Sequence, residues 1–483
     1  MQSGLAESKL PLVVDLDGTL IKTKLLFELA NQYLISKPLH FFKMAYWFLK
    51  GKKALKHHLN KISIDISMLP YNQKLLDWIK TQKNEKGRKI ILATANHFSL
   101  AEQVAAYHKL FDEVFGTDSN TNLKAEKKRD FLVGKYGEGG YDYVGGSVAD
   151  LLVWESAANA VVISNNKTLI KKIQQYNNCV SVFSSDKPAV LFALLKLLRP
   201  HQWLKNLLVM LPLFAAQLYC NEAKLISAIM AFVMFSLTAS SVYVLNDLID
   251  LNNDRRHERK RCRPFASGNL SIVIGWIIWP LLLLSSFGLT YFMLPVSFLI
   301  TLAVYFLLTF AYSLKLKQIA VLDVLTLAGL YTMRIIAGTT AIAVSFSFWL
   351  LTFAMFVFFS LALIKRFSEL KAAQVKDKEG LLPGRGYYPG DLELVASLGA
   401  ASGYISVLVL ALYIQDNTAL YLYHVPQLLW LACPLLLFWI SFSWLIAHRG
   451  QMHDDPIVFA MKNPVSLIVA CLFVGIFVLA KFI

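Results

Sequence analysis

A run of acids at residues 246–254, NDLIDLNND, has the residue types and spacing for metal-assisted phosphate chemistry. Asp247, Asp250 and Asp254 stand three and four residues apart, which on a helix brings their carboxylates onto one face. Three adjacent carboxylates repel one another unless they share cations. Mg2+ suits them, being a hard ion content with a few carboxylates plus substrate phosphates. The next ten residues, RRHERKRCRP, add positive charge suited to a diphosphate or another phosphate group. A juxtamembrane charge cluster that only sets topology would need the arginines, but it gives no reason for N-D-x-x-D-x-x-x-D. The spacing therefore favours a metal–phosphate site.

A second acidic pair, Asp15 and Asp17, closes the short apolar strand in LPLVVDLDGTL at residues 10–20. Two further runs, KIILA at 89–93 and AVVI at 160–163, read as buried parallel strands separated by helical patterns. The first region is thus α/β with a parallel sheet. Ligands bind beyond the carboxyl ends of such strands, where Asp15, Asp17 and Thr94 fall.

The elements behind these groups divide the chain into a soluble head at 1–195 and a membrane body at 198–483. Of 483 residues, 56% are hydrophobic and 17% charged, which excludes a single soluble globule and a disordered chain. Nine apolar stretches approach the length of a membrane span: about 206–219, 225–245, 271–292, 295–312, 321–343, 346–364, 392–415, 427–447 and 464–481. Net charge is +16, and the Lys and Arg residues gather in alternate loops: Arg255–Arg263, Lys315 and Lys317, Lys365–Arg385, then Arg449 and Lys462. By the positive-inside rule the head and these loops face the cytoplasm and the C-terminus lies opposite, in a multi-pass cytoplasmic membrane protein. The first apolar run, Leu10–Val14, is broken by Asp15, so no signal peptide is expected. The five cysteines lie far apart and suggest neither a disulfide framework nor a zinc site. Nucleic acid is not an expected partner, because the basic loops lack interleaved aromatics.

The head resembles the haloacid-dehalogenase (HAD) phosphatase superfamily through D-x-D-G-T at 15–19. The resemblance implies Asp15 as phosphoryl-accepting nucleophile and Asp17 as general acid/base. Thr94, in LATAN, would bind phosphate, and Lys128 would offset its charge, with Lys124 as a rival for that role. It also implies Mg2+ on Asp15 and on acids of a fourth motif, but Gly146 stands where the first of those acids is expected, so only Asp150 remains. The alternative is a HAD fold kept for packing or regulation. A helical cap is expected at about 24–80. Within it, the aromatic and lysine-rich stretch 40–59 reads either as a helix packed on the head with a solvated basic face or as an element of the membrane interface. GEGGYDYVGG at 137–146 reads as a connection leading into a buried strand rather than a dinucleotide fingerprint. His57 and His58 are expected to be solvent-exposed.

The body resembles the UbiA superfamily of intramembrane prenyltransferases through NDLIDLNNDRRHERKRCRPFASG and YSLKLKQIAVLDVLTLAGLYTMRIIAG. The resemblance implies an all-α polytopic fold with Mg2+ at Asp247, Asp250, Asp254 and Asp323, Asp247 and Asp250 being catalytic and Asn246 supporting them. No second D-x-x-x-D accompanies Asp323, a departure from an ordinary aromatic prenyltransferase. LRPHQWLKN at 198–206, KRFSEL at 365–370 and WLIAHRGQMHDDP at 444–456 resemble one branch, the decaprenyl-phosphate phosphoribosyltransferases. That branch implies phosphoribosyl diphosphate as donor and a polyprenyl phosphate as acceptor. Lys260, Arg263, Tyr312, Lys317 and Arg334 are the candidate phosphate contacts, and Lys205 and Asn206 those for the lipid phosphate. Lys365, Arg366 and Arg449 read as topology anchors, with Glu369, Asp454 and Asp455 orienting them. Two alternatives stand beside this reading: prenyl transfer from a prenyl diphosphate to a small acceptor, and a transporter or lipid-binding scaffold with an inactive head.

Overall fold

The computed structural model describes residues 9–118, 123–175, 179–183, 188–374, 380–381, 384–452 and 455–483. They form two compact units, one of residues up to Leu198 with Val244–Ile278, the other of Arg199–Tyr243 with Trp279–Ile483. The segment carrying the acids of 246–254 thus belongs with the head.

In the first unit six parallel strands, β1 (Leu12–Val14), β2 (Ile90–His97), β3 (Glu113–Thr117), β4 (Asp142–Gly145), β5 (Asn159–Ile163) and β6 (Cys179–Phe183), lie in the order 3-2-1-4-5-6. Side chains alternate between faces: Leu12, Val14, Ile90 and Leu92 pack on one side, Val13, Ile91, Ala93 and Tyr143 on the other. Both faces are buried, as the uninterrupted apolar runs require. This is a Rossmann-like, doubly wound sheet whose strand order reverses between β1 and β4, which places the ends of those strands at its ligand crevice. Four helices separate β1 from β2: α1 (Leu25–Ser36), α2 (Phe41–Leu49), α3 (Lys52–Leu59) and α4 (Gln73–Asn84). The later connections carry α5 (Phe98–His108), α6 (Glu126–Tyr136), α7 (Leu151–Glu155) and α8 (Lys167–Gln174), and α9 (Val190–Leu198) leads out of the head. The glycine-rich stretch 137–146, expected as a connection, itself contains the buried strand β4 (Asp142–Gly145).

Among the described residues eight helices are long and apolar enough to cross a membrane. They are α11 (Glu222–Ile249), α13 (Ile272–Met293), α14 (Val296–Leu314), α15 (Leu322–Ala341), α16 (Phe348–Gln374), α17 (Leu392–Ile414), α19 (Ala432–His448) and α21 (Pro464–Phe482). Short helices α10 (Leu211–Ala215), α12 (Leu251–Arg256), α18 (Asn417–Leu422) and α20 (Pro456–Lys462) lie between them. α11 and α15 are the most enclosed spans, and α13 and α21 turn most of their apolar surface outward, as lipid-facing helices do.

The first of the nine expected stretches is not a long α-helix. It is an eleven-residue 3-10 helix, Pro200–Met210, followed by the five-residue α10. The segment runs antiparallel to α11: the Arg199 guanidinium lies 5.3 Å from the Tyr243 ring centre, Trp203 Nε1 donates to Ser240 Oγ, Asn206 Nδ2 donates to Ser236 Oγ, and Leu213 packs with Ala228. A 3-10 helix rises about 2.0 Å per residue and an α-helix about 1.5 Å. The two pieces together reach about 30 Å, the thickness of a bilayer's hydrocarbon core.

Candidate functional site

At the end of β1, Asp15 is buried and accepts a 2.7 Å hydrogen bond from Lys128 Nζ, which also donates to the Tyr143 hydroxyl at 3.1 Å. Lys124 is exposed, and Lys128 is the lysine that lies beside Asp15. Burial pushes the Asp15 carboxyl up to about 7 although Lys128 pulls it down, and Asp150 adds to the rise. For Lys128 burial works against the charge, but Asp15 and Asp150 outweigh it and hold the ammonium above its ordinary value. Thr94 Oγ1 accepts from the backbone and side-chain nitrogens of Asn96. Asp17 Oδ1 caps the start of α1 through Leu25 N at 3.0 Å, and burial raises its carboxyl.

The head does not offer a full acidic metal set. A Cβ at Gly146 would sit 2.9 Å from Gly18 O and 3.1 Å from Ile163 O, so no acid fits there in this backbone. Asp150, expected as a metal ligand, spends both oxygens locally: Oδ1 accepts from Tyr143, and Oδ2 accepts from Ser147 N, Ser147 Oγ and Gly146 N. Tyr143, which joins Lys128 to Asp150, lies in a stretch read from the sequence as a connection and had no signal there.

α11 ends at Ile249 and α12 begins at Leu251, with Asp250 the single residue between them; Asp250 N still donates to Asn246 O and Asp254 N to Asp250 O, both at 2.8 Å, so helical hydrogen bonding runs across the junction. Asp247 and Asp254, both buried, converge on Arg263, whose Nη1 lies 3.1 Å from Asp247 Oδ1 and 2.6 Å from Asp254 Oδ2. Burial raises the Asp254 carboxyl, Arg263 opposes this and Asp247 adds to it. Among the described residues no three His, Cys, Asp or Glu side chains close a metal cage. The donor set still fits a hard cation that completes its shell with water and phosphate oxygens. Two buried carboxylates already share a cationic group, and the Asn246 Oδ1 beside them is buried with no hydrogen-bond partner. Lys260 is exposed on the following turn.

One face of α1 grips this segment. Glu28 accepts both Arg255 Nη groups, at 3.1 and 2.7 Å, in a pair whose side chains are 2% and 5% exposed. Asn31 Nδ2 donates to Leu248 O and its Oδ1 accepts from Trp276 Nε1, while Gln32 accepts from Asn252. Glu28, Asn31 and Gln32 follow the i, i+3, i+4 pattern of one helical face. Sequence reading missed all three.

In the second unit, three segments separated by more than eighty residues each meet at Asp455. Its Oδ2 lies 2.9 Å from Lys205 Nζ and 3.1 Å from Lys365 Nζ. The Tyr331 hydroxyl borders the same carboxylate, and Tyr331, Lys365 and Asp455 line a small cavity of about 10 Å³. Burial opposes the charge on Asp455, but Lys205 and Lys365 hold its carboxyl far below the usual range. Arg334 donates to Asn206 Oδ1 at 2.9 Å and lies over the Tyr331 ring. Lys365, read as a topology anchor, is thus part of this cluster; Asp454 lies outside the described residues.

Asp323, expected as a metal ligand, is fully buried and committed to an ion pair with Arg366 at 2.5 Å and to a hydrogen bond from the Tyr387 hydroxyl. Arg366 also pairs with Glu369. Tyr312 accepts from Arg385, and Lys317 is half-buried on the turn between α14 and α15.

Eight helices long and apolar enough to span a membrane, with an acidic segment at the end of one of them, fit a polytopic membrane protein. The chain belongs to the UbiA prenyltransferase family, a family of integral membrane transferases, whose model matches residues 207–464. It is 35% identical to the uncharacterized protein y4nM of Sinorhizobium fredii over 98% of this chain and 92% of that one. The nodulation protein NoeC of Azorhizobium caulinodans is 37% identical over 56% of this chain and 87% of its own length. The decaprenyl-phosphate phosphoribosyltransferase of Mycolicibacterium smegmatis is 36% identical over 187 residues, 38% of this chain and 58% of that enzyme. Among solved structures, a UbiA homolog from Archaeoglobus fulgidus bound to DMAPP and Mg2+ aligns over 60% of this chain and 99% of its own, with 17% identity and a TM-score of 0.45.

Proposed function

We propose that the membrane body transfers a phosphoribosyl group from phosphoribosyl diphosphate to a polyprenyl phosphate. The observation that carries this reading is the convergence of Lys205, Lys365 and Asp455. They come from the three segments that resemble the phosphoribosyltransferase branch, and together they bring two lysine ammonium groups to one acidic oxygen, a position that a phosphate oxygen can take over. In this reading Lys205, Lys365 and Asn206 hold the acceptor phosphate, its anion taking over the lysines from Asp455. Asn246, Asp247, Asp250 and Asp254 would hold Mg2+, which when bound neutralises the leaving diphosphate. Arg263 and Lys260 bind the diphosphate oxygens, and Lys317 is a further basic contact. A lipid phosphate oxygen forms the new bond to C1 of ribose as the C1–diphosphate bond breaks, and the electron pair leaves with diphosphate. Exclusion of water from the reacting centre would limit hydrolysis of the oxocarbenium-like carbon.

The head is read as a HAD-like domain whose Asp15 attacks a phosphomonoester such as the ribose 5-phosphate on the transferred product. The phosphoryl group passes to the carboxylate, Asp17 protonates the departing alcohol, and water then releases phosphate. Lys128 and Thr94 hold the phosphoryl oxygens. With position 146 closed and Asp150 engaged, no step is assigned to a metal there. Tethering the two activities raises the effective concentration of the intermediate. In this reading, which rests on the positive-inside rule, the head and the loops at 255–263, 315–317, 365–385 and 449–462 face the cytoplasm, with the C-terminus opposite. Label from phosphoribosyl diphosphate entering lipid in wild type, but not in Asp247→Ala, tests the transfer; phosphate release lost only in Asp15→Asn tests the head.

A further inference from the structure

α2 is a short helix with an inverted outer surface. Met44 and Trp47, at i and i+3, turn inward; Trp47 is buried against Tyr33 and stacks on His58 at 4.3 Å. The opposite face carries Phe41, Phe42, Tyr46, Phe48 and Leu49, and Leu39 precedes it. All six are exposed, Leu39, Phe42 and Leu49 by more than 80%. A soluble cap helix would cover these residues or replace them with polar ones, since solvated apolar patches of this kind mark contact surfaces.

Three observations identify what meets this face. Exposed Lys37, Lys43 and Lys50 ring the aromatic surface, and Lys50 Nζ lies 4.6 Å from the Tyr46 ring centre. Aromatics edged by lysines are the pattern of helices lying in the headgroup layer of an anionic bilayer. In addition, α1 is hydrogen-bonded to Leu248 O and Trp276 Nε1, one residue from the end of α11 and four from the start of α13. The chain that leaves α1 therefore starts at a membrane boundary, and α2 begins five residues later. Finally, α2 is joined to the head's ligand crevice by α3, where Lys56 Nζ donates to Ala95 O, the residue after Thr94.

We propose that α2 lies in the headgroup layer of the anionic membrane its own chain spans, and that the α2–α3 hairpin presents to Asp15 a phosphomonoester borne on a membrane lipid. The second half rests on the reading of the head as a phosphatase. The blander expectation, a cap helix with a solvated outer face, accounts for the lysines and leaves the six apolar side chains in water.

The test uses the full chain in nanodiscs containing phosphatidylglycerol, with the five native cysteines replaced by serine. A nitroxide is placed at Phe42→Cys or Leu49→Cys, and at Lys80→Cys on α4 as an aqueous reference. Power saturation should give the Phe42 and Leu49 labels several-fold higher accessibility to oxygen than to a water-soluble nickel chelate, and the reverse at Lys80. Nickel accessibility at 42 and 49 equal to that at 80 overturns the docking. So does protection from both reagents, which denotes a protein partner or a second copy. Phosphate release from a polyprenyl-linked phosphomonoester and from p-nitrophenyl phosphate is then compared in wild type and Phe42→Ser/Leu49→Ser. A loss of tenfold or more confined to the lipid substrate supports the presentation role, and equal loss on both substrates overturns it. Release from neither substrate in wild type removes the phosphatase reading and with it the presentation role, while the nitroxide result decides the docking.

Discussion

Glu28→Gln keeps the size of the side chain but leaves the Arg255 guanidinium buried without a countercharge. The wild-type pair makes two hydrogen bonds with both side chains at 5% exposure or less. Removing one member of such a pair costs about 3–5 kcal/mol. At about 1.4 kcal/mol per factor of ten, that shifts the equilibrium between gripped and released segment by roughly two to three and a half orders of magnitude. The grip falls beside the acids: Leu248 follows Asp247, and Arg255 follows Asp254. Hydrogen exchange across residues 246–266 should therefore accelerate by roughly a hundredfold or more in Glu28→Gln, with peptides from α14 unchanged. The Mg2+ concentration for half-maximal transfer should rise more than the saturated rate falls. Asp65→Asn, which breaks an exposed pair with Arg256, provides the contrast, because such pairs contribute about 0–1 kcal/mol. Exchange in Glu28→Gln within a factor of three of wild type would refute the reasoning.

Lys205→Met removes a cation that lies 2.9 Å from Asp455, so acceptor KM should rise by about tenfold or more, while Lys205→Arg, which keeps the charge, should retain most of the wild-type affinity in the same assay. At Gly146→Asp the added Cβ meets backbone oxygens at 2.9 and 3.1 Å, so the restored acid should destabilise by about 1–3 kcal/mol in thermal unfolding rather than improve the head. Asp15, raised to about 7, must be ionised to attack phosphorus, so phosphate release should climb with pH through about 7 and vanish in Asp15→Asn. If residues 199–221 cross the membrane beside α11, an impermeant maleimide applied to the face opposite the head should label Cys220 and spare Cys262, both of which are exposed. Labelling of Cys262 from that face would exclude the crossing.

Apolar runs made much of the fold legible. β1, β2 and β5 lie within or beside the runs at 10–14, 89–93 and 160–163 because a parallel sheet buries both faces and needs uninterrupted apolar residues. β3 and β4 were hidden, since Glu113 and Asp142 and the surrounding glycines break that signal. Eight of the nine expected stretches are long helices among the described residues, whereas the first, which holds Pro212, is the 3-10 helix of 200–210 followed by α10, a geometry that apolar length alone does not reveal. At the sites, the spacing of Asp247, Asp250 and Asp254 was readable but the convergence of Asp247 and Asp254 on Arg263 was not, because it depends on how the turn packs. Lys365 and Asp455 each look like ordinary helix-end charges and gain meaning only when the chain folds them onto Lys205. Glu28 and Arg255 are 227 residues apart, and nothing in either local sequence marks the partner.

The most direct test is transfer in liposomes with Mg2+, a polyprenyl phosphate and phosphoribosyl diphosphate labelled in the ribose, comparing wild type with Asp250→Ala. The account predicts ribose label in the lipid for wild type and its loss in the variant. No lipid label from folded wild-type protein, alongside prenyl transfer to an aromatic acceptor when a prenyl diphosphate is supplied instead, would contradict it.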